Sequence, residues 1–339
     1  MTEPDMPRCA IVHGVVAHAP SPDEADTLRQ ADEIEAALST LGYAVEVIPV
    51  GLDLTALLPL ATSRPEAVVN LVEALDGKGC LVHLVPAVLE SFNLYVTGCP
   101  SVGLFAASNK PFAKRLMRQA GIPTPDWSMR GDETGSEGTW IVKSVWEHAS
   151  IGLDAGSVVP GNAVAATLTD RAARFGGEWF AEEYIDGREF NISLLGGPAG
   201  TDDPEVLPAA EMTFRDFPAG APRIVDYAAK WDENSAAYQN TVRRFNLPAS
   251  DRSLLARLAE ISLSCWRCFG LGGYARVDFR IDALGRPWVL EVNANPCLAA
   301  DAGYMVAAER AGLALPQVMS RLLALDPGVT RAAARVARV

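Results

Sequence analysis

The chain has 339 residues, 49% of them hydrophobic, and a formal charge of −13, so it is long enough for two or three lobes with sizeable cores. The acidic balance argues against non-specific nucleic-acid binding, which rests on cationic surfaces facing phosphates, although a local basic pocket for a nucleotide remains compatible with it. No apolar run approaches the roughly 20 residues that span a bilayer. The start, Met1-Thr2-Glu3-Pro4-Asp5, lacks the basic and apolar regions of a signal peptide, so no membrane association and a cytoplasmic location are the expectation.

Cys9 to Val16 and Tyr43 to Val50 read as apolar strands, joined by a helix that Ser21 caps, with Pro22 at its first position and Glu24 three residues past the cap. Strand, helix and strand at this spacing predict a βαβ unit and a parallel sheet. A third strand, Ala67 to Val72, ends in Glu73. A helix from Leu81 to Phe92 and a short strand, Tyr95 to Gly98, close a first lobe, residues 1–102. Ligands of such sheets gather at the carboxyl ends of the strands. That makes His13, Asn70 and Glu73 candidates to line a cleft.

The second lobe, 103–182, opens near Gly103. Asn109-Lys110-Pro111 starts a helix that Gly121 ends. Trp140 to Val145 is a strand with Lys143 in its middle, followed by a loop from Trp146 to Gly152 that includes Ser150. A strand lysine beside a flexible loop suits phosphate, because an ammonium and backbone N–H groups can both reach it. A third lobe, 183–326, follows a turn at Asp186-Gly187. Leu194-Leu195 and Val206-Leu207 add strands to a larger antiparallel sheet, and Asp226 to Trp231 reads as a short polar strand or loop. Ser253 to Phe269 is helical and carries Cys265 and Cys268, which are expected to face the core as small hydrophobes. Beyond two further helices, Asp301–Arg310 and Gln317–Leu325, residues 327–339 form a tail.

The helix delivers the chain to a predicted antiparallel hairpin. Tyr274 to Ile281 alternates polar and apolar, Asp282 to Pro287 is turn chemistry, and Trp288 to Asn293 returns. A loop centred between Leu284 and Gly285 sets Asp278 opposite Glu291 and Arg276 opposite Asn293. Opposed side chains share one sheet face about 5 Å apart. Val277, Phe279, Leu290 and Val292 are then expected on the other. Two carboxylates brought together repel unless a cation or a proton intervenes, and hard oxygens from Asp, Glu and Asn suit Mg²⁺. On this reading, removing either carboxylate leaves the metal-free protein no less stable.

From Gly98 to Gln317 these parts resemble the ATP-grasp superfamily, and within it the D-alanine–D-alanine ligase group. The likeness is strongest in Arg276-Val277-Asp278-Phe279-Arg280 and Leu290-Glu291-Val292-Asn293-Ala294-Asn295-Pro296. It implies an α/β fold in which a small parallel N-terminal domain precedes two lobes that grip ATP. It implies that Asp278, Glu291 and Asn293 bind two Mg²⁺ ions, with Mn²⁺ as an alternative, and that Arg276 sits on the reacting carboxyl oxygen. Lys110, Lys143 and Lys230 would contact phosphates under the loop that holds Ser150. Glu182, Glu183 and Ile185 would read adenine at the hinge, and Glu189 would take the ribose hydroxyls. The expected activity is ADP-forming ligation of a small-molecule carboxylate to an amine through an acylphosphate, by a homodimer at most. The alternatives are a non-ligating ATP-binding regulator and a small-molecule kinase. The substrate half departs from the family pattern. The family's amine-holding segment after the first strand reads His13 to Ser21 here, Ala302 stands where the family has a substrate-touching serine, and Cys297 replaces an oxyanion-loop glycine. Glu73 is the expected substitute for holding the first substrate's amine, so the substrates are expected to differ from D-alanine.

Overall fold

The computed structural model describes residues 6–147, 149–196 and 203–324. Strand β1 (Arg8–Gly14), helix α1 (Pro22–Thr40), β2 (Ala44–Val50), α2 (Leu58–Ser63), β3 (Ala67–Asn70), α3 (Leu84–Ser91) and β4 (Val96–Thr97) build the predicted parallel sheet, in the order β2-β1-β3-β4. Alternate residues of β1 feed two cores. Cys9 and Ile11 pack with Ile34 and Leu38 of α1, while Ala10 and Val12 pack with Leu57, Val85 and Leu89 on the opposite face. Burial on both faces is why this strand reads as a continuous apolar run. The α1 cap forms as predicted: Glu24 Oε2 accepts from the Ser21 backbone N–H at 3.0 Å and from its hydroxyl at 3.1 Å.

Helices α4 (Ser101–Ser108) and α5 (Lys110–Gln119) come next, and α4 runs across residue 102. Asn109 caps α5, its Oδ1 accepting from the Phe112 N–H at 2.9 Å. Strands β5 (Trp127–Ser128), β6 (Thr139–Ser144) and β7 (Val158–Pro160), helix α6 (Val164–Phe175) and β8 (Trp179–Glu183) form an antiparallel sheet ordered β5-β8-β6-β7. Val164 and Leu168 of α6 cover Val142, Trp179 and Ala181 on one face of it. Its other face looks into the cleft.

The third sheet takes β9 (Arg188–Leu195), β10 (Glu205–Val206), β11 (Ala210–Phe214), β12 (Thr241–Arg244), β13 (Tyr274–Ile281) and β14 (Pro287–Asn293), ordered β12-β11-β9-β13-β14 with β10 beside β9. Leu194 and Leu195 are the end of β9 rather than a separate strand. Asp226 to Trp231 is not a strand. Asp226 Oδ1 accepts from the Ala229 N–H at 2.8 Å and so caps a helical turn, α7 (Tyr227–Trp231), followed by α8 (Ala236–Asn240). Helix α9 (Arg252–Phe269) lays Leu258, Ile261, Cys265 and Phe269 against Val277, Phe279 and Val292 of the hairpin, and Cys268 packs at the margin of this core. Helices α10 (Gly303–Arg310) and α11 (Leu315–Leu323) finish the described chain. The predicted helix end at Leu325 and the tail lie outside the described residues. None of the described helices is long and apolar enough to cross a membrane.

The hairpin register is as predicted as far as Asp278↔Glu291, and then shifts so that Phe279 pairs with Val289. The shift is a β-bulge, which re-aims the extra residue. Val289 therefore takes the fully buried place expected of Leu290, and Leu290 turns half-buried into the cleft.

The first and third sheets meet where Gly273, with φ +63°, lies on Gly98. A Cβ at 273 would fall 2.5 Å from the Gly98 backbone. Gly273→Ala therefore combines left-handed strain with an overlap between two backbones, and is expected to cost about 3 kcal/mol. The unfolding midpoint in urea measures it, and a loss below about 0.5 kcal/mol would mean that the two lobes separate freely at this contact.

Candidate active site

One cleft of about 860 Å³ lies between the three sheets. The polar face of the hairpin forms its floor. Arg276, Asp278, Glu291 and Asn293 stand together there, as the register requires. The cation that separates the carboxylates belongs to the protein itself: Arg276 donates to both Asp278 oxygens, from Nε at 2.7 Å and from Nη2 at 2.8 Å. Asn191 Nδ2 adds a third bond to Asp278 at 2.8 Å. Burial alone would lower the Arg276 pKa, but the Asp278 carboxylate outweighs it and the pKa is raised. Glu291 lies 3.9 Å from Lys110 Nζ. Asn293 Oδ1 holds the Asn295 N–H at 3.0 Å, which fixes the turn after β14.

Among the described residues no three His, Cys, Asp or Glu side chains converge into a metal cage. Two carboxylates and an amide oxygen on one face suit a hard cation whose coordination a ligand's phosphates complete, as is usual for Mg²⁺. The donor set fits the expected metal on those terms.

Lysines close the cleft from the side. Lys110, the first residue of α5, donates to the Glu147 carbonyl at 2.6 Å. Burial is the main cause holding its pKa below the usual value, with Glu291 opposing. Lys143 pairs with Glu182, whose second oxygen is 2.6 Å from Lys114. Burial would raise the Glu182 pKa, yet the two lysines hold it below the carboxylate norm. Lys230 of α7 is depressed by burial and then by Arg276, against the pull of Glu291 and Asp278. Above them the loop after β6 is tied down. Trp231 Nε1 donates to the Ala149 carbonyl at 3.1 Å, and Ser150, at φ +60°, donates its hydroxyl to the Val225 carbonyl at 2.9 Å. His148 of the predicted loop lies outside the described residues.

At the hinge Glu183 and Ile185 line the cleft, Glu183 exposed and Ile185 buried. Glu182 is only 1% exposed, so its carboxylate belongs to the lysines beneath. Glu189 reaches the cleft wall but is paired with Arg280, Nε to Oε2 at 2.9 Å.

Glu73, Asp23, Glu24 and Asp26 gather at the far end. His13 and Asn70 do not join them: His13 is bonded back to the Gly14 carbonyl at 2.8 Å, and Asn70 Oδ1 holds the Val72 N–H at 3.3 Å. Glu73 is wetted yet enclosed by the cleft walls. That enclosure, and next the Asp26 carboxylate, push its pKa up to about 7. Asp26 also accepts from the Cys297 thiol at 3.2 Å, and burial raises that thiol's pKa.

Sequence reasoning missed Lys114 and Asp26. Lys114 carried a signal, since it falls four residues after Lys110 on the helix face that also buries Ala113 and Met117. Asp26 carried none beyond its place one turn after Asp23.

The Arg276–Asp278 pair overturns the stability expectation for the metal-free protein. Asp278→Ala leaves a largely buried guanidinium without its counter-ion and is expected to lose about 2 kcal/mol without ligand, since breaking a buried pair is costly even when partly wetted. The double variant Asp278→Ala/Arg276→Met should recover about half of it. Urea unfolding of the three variants checks this, and strictly additive losses would contradict it.

The comparisons with known proteins agree with this geometry. Residues 116–324 match the family model described as D-ala D-ala ligase C-terminus. The protein y4sG of Sinorhizobium fredii is 33% identical over 261 residues, covering 76% of this chain and 73% of that one. A D-alanine–D-alanine ligase of a Synechococcus species is 29% identical over 303 residues, 85% of this chain and 84% of its own. Among solved structures, the D-alanine–D-alanine ligase of Bacillus anthracis complexed with ATP superposes with a TM-score of 0.72 at 19% identity, covering 97% of this chain and 99% of its own. The VanG D-Ala:D-Ser ligase of Enterococcus faecalis gives 0.70 at 17%, covering 95% and 99%. Those two likenesses show the fold. Taken with the family match over residues 116–324, they place this chain in the D-alanine–D-alanine ligase family, ATP-grasp enzymes that join a carboxylate to an amine with conversion of ATP to ADP.

Proposed function

We propose that this enzyme joins an amino-acid-like carboxylate to an amine through an acylphosphate, and that its substrates differ from D-alanine. The observation that carries the reading is the meeting of Arg276, Asp278, Glu291 and Asn293 with Lys110, Lys143 and Lys230 in one cleft. ATP is a substrate here. Its adenine would lie along the hinge backbone from Glu183 to Ile185, with Glu182 acting from beneath by holding Lys143. Its phosphates would lie among the three lysines under the Ser150 loop.

Asp278, Glu291 and Asn293 would hold Mg²⁺, which supplies charge neutralisation for the phosphoryl group. The donor carboxylate attacks the γ-phosphorus and ADP leaves. The neutral amine then adds to the acyl carbon, and phosphate departs with the oxygen that made the attack. Arg276 stabilises the oxyanion of that second step by a charge that is worth more in a dry crevice than in water. No nucleophilic side chain is needed. We read the three sheets as the working lobes, 1–102, 103–182 and 183–326, each giving one wall of the cleft.

The far end sets the donor. Glu73 and Asp26 suit an ammonium, which would restore the Glu73 charge and relieve its repulsion from Asp26. A carboxylate on β3's exit loop holds an amine at its own distance from the reacting carboxyl, and Ala302 offers no hydroxyl. D-alanine alone is therefore expected to support only slow turnover. An assay of ADP release with D-alanine, L-amino acids, β-amino acids and amines, with hydroxylamine added to trap the acylphosphate, tests this. Full turnover on D-alanine alone, unaffected by Glu73→Gln, would sink it. A kinase would give ADP without hydroxamate.

The raised Glu73 pKa carries a sign. Its folded value of about 7 lies above the ordinary 4.5, so the folded protein binds the extra proton and loses stability as pH climbs from 4.5 towards 7. Glu73→Gln should thus gain stability relative to wild type across that window. Thermal melts at pH 5 and pH 8 check it, and a constant difference would contradict the placement.

A further inference from the structure

Arg243 enters the cleft from β12. Its Nε is enclosed and meets no acceptor, and Nη1 reaches only the Asp301 carbonyl, at a long 3.4 Å. The guanidinium lies on Gly303, the first residue of α10: a Cβ there would come within 3.2 Å of Nη2 and 3.4 Å of Nε. This is a poor place for a cation. The start of a helix carries partial positive charge, and Arg276 is a second guanidinium nearby. Burial, and then Arg276, lower the Arg243 pKa. The acid that faces it, Asp301, turns its carboxylate to Arg29 at 2.7 Å instead. Two guanidinium groups and a helix start therefore line the cleft together, and the enclosed Arg243 Nε–H has no acceptor.

We propose that Arg243 binds the carboxylate of the amine-bearing substrate, so that the acceptor is an amino acid and is told apart from its carboxamide by this residue. The inference rests on the ligase reading above. The donor's ammonium lies at the acidic pole formed by Glu73 and Asp26, its carboxyl at Arg276, and the acceptor's carboxylate beyond it at Arg243. A guanidinium–carboxylate contact is charge-assisted and planar, which favours an acid over its neutral isostere.

The test uses the intact enzyme with ATP and Mg²⁺, the common L-amino acids, β-alanine and D-alanine as substrates, and each accepted acceptor beside its own carboxamide, with products read by mass. Wild type should prefer the acid by about 10- to 100-fold in kcat/KM. Arg243→Met should lose that preference through the acceptor KM, Arg243→Lys should keep part of it, and hydroxamate formation with hydroxylamine, which has no carboxylate, should fall far less. Arg243→Met should also be no less stable than wild type, because it removes an uncompensated cation. An unchanged acid-to-amide ratio in Arg243→Met overturns the proposal. A parallel fall in hydroxamate formation also overturns it, and assigns Arg243 to the transferring phosphoryl group. If wild type forms neither ADP nor hydroxamate with any donor, the ligase reading itself fails first.

Discussion

Charges confined in a crevice must find one another, and this constraint shapes the whole cleft. An unpaired ion in such surroundings costs several kcal/mol, so most of the charged groups here are held by another of opposite sign. Arg276 holds Asp278, Lys114 and Lys143 share Glu182, and Arg280 holds Glu189. Arg276 and Asp278 share one strand, whereas the others bridge elements far apart in sequence, from α5 to β8 and from β9 to β13. On the proposed function, the same contacts that keep the ligand-free protein folded would also aim the side chains at the nucleotide. A triphosphate with its metal brings both signs of charge, so it can exchange partners with the resting pairs without leaving any group bare. Binding on that reading would be a re-pairing of these ions.

The two ends of the cleft differ in how closely their charges are matched. At the nucleotide end the lysines and carboxylates are nearly balanced. At the other end Glu73, Asp26, Arg276 and Arg243 line the cleft together, with Arg29 between Asp26 and Asp301. Burial is the first cause of the shifts there, raising the Glu73 carboxyl and lowering the Arg243 guanidinium, whereas Arg29 holds Asp26 and Asp278 holds Arg276.

The convergence of the hairpin face and the lysines was legible in the sequence and the far end of the cleft was not, for a physical reason. Strand alternation and opposed numbering fixed Arg276, Asp278, Glu291 and Asn293 on one face, since a side-chain period of two leaves little freedom. The bulge after Asp278 escaped, because a one-residue slip leaves both strands looking regular and only the packing of Val289 over Leu290 selects it. Lys143 was legible as a lone lysine among β-branched residues. Its buried partner Lys114 sits on an ordinary amphipathic helix. Asp226 to Trp231 was misread because six residues are too few for any period, and the Asp226 cap decided the outcome. Glu73 could be placed from its strand end, whereas Asp26 and Arg243 depend on how α1 and β12 approach the hairpin. Those approaches are tertiary facts.

The central claim is that a carboxylate oxygen is transferred to phosphate in this cleft. The direct measurement is to supply the donor with ¹⁸O in its carboxyl group, run the complete reaction and weigh the phosphate released. With both carboxyl oxygens labelled, the account predicts one labelled oxygen in each phosphate, while the other stays in the product's amide carbonyl. Unlabelled phosphate formed alongside ADP would contradict it, because water rather than the donor would then have taken the γ-phosphoryl group.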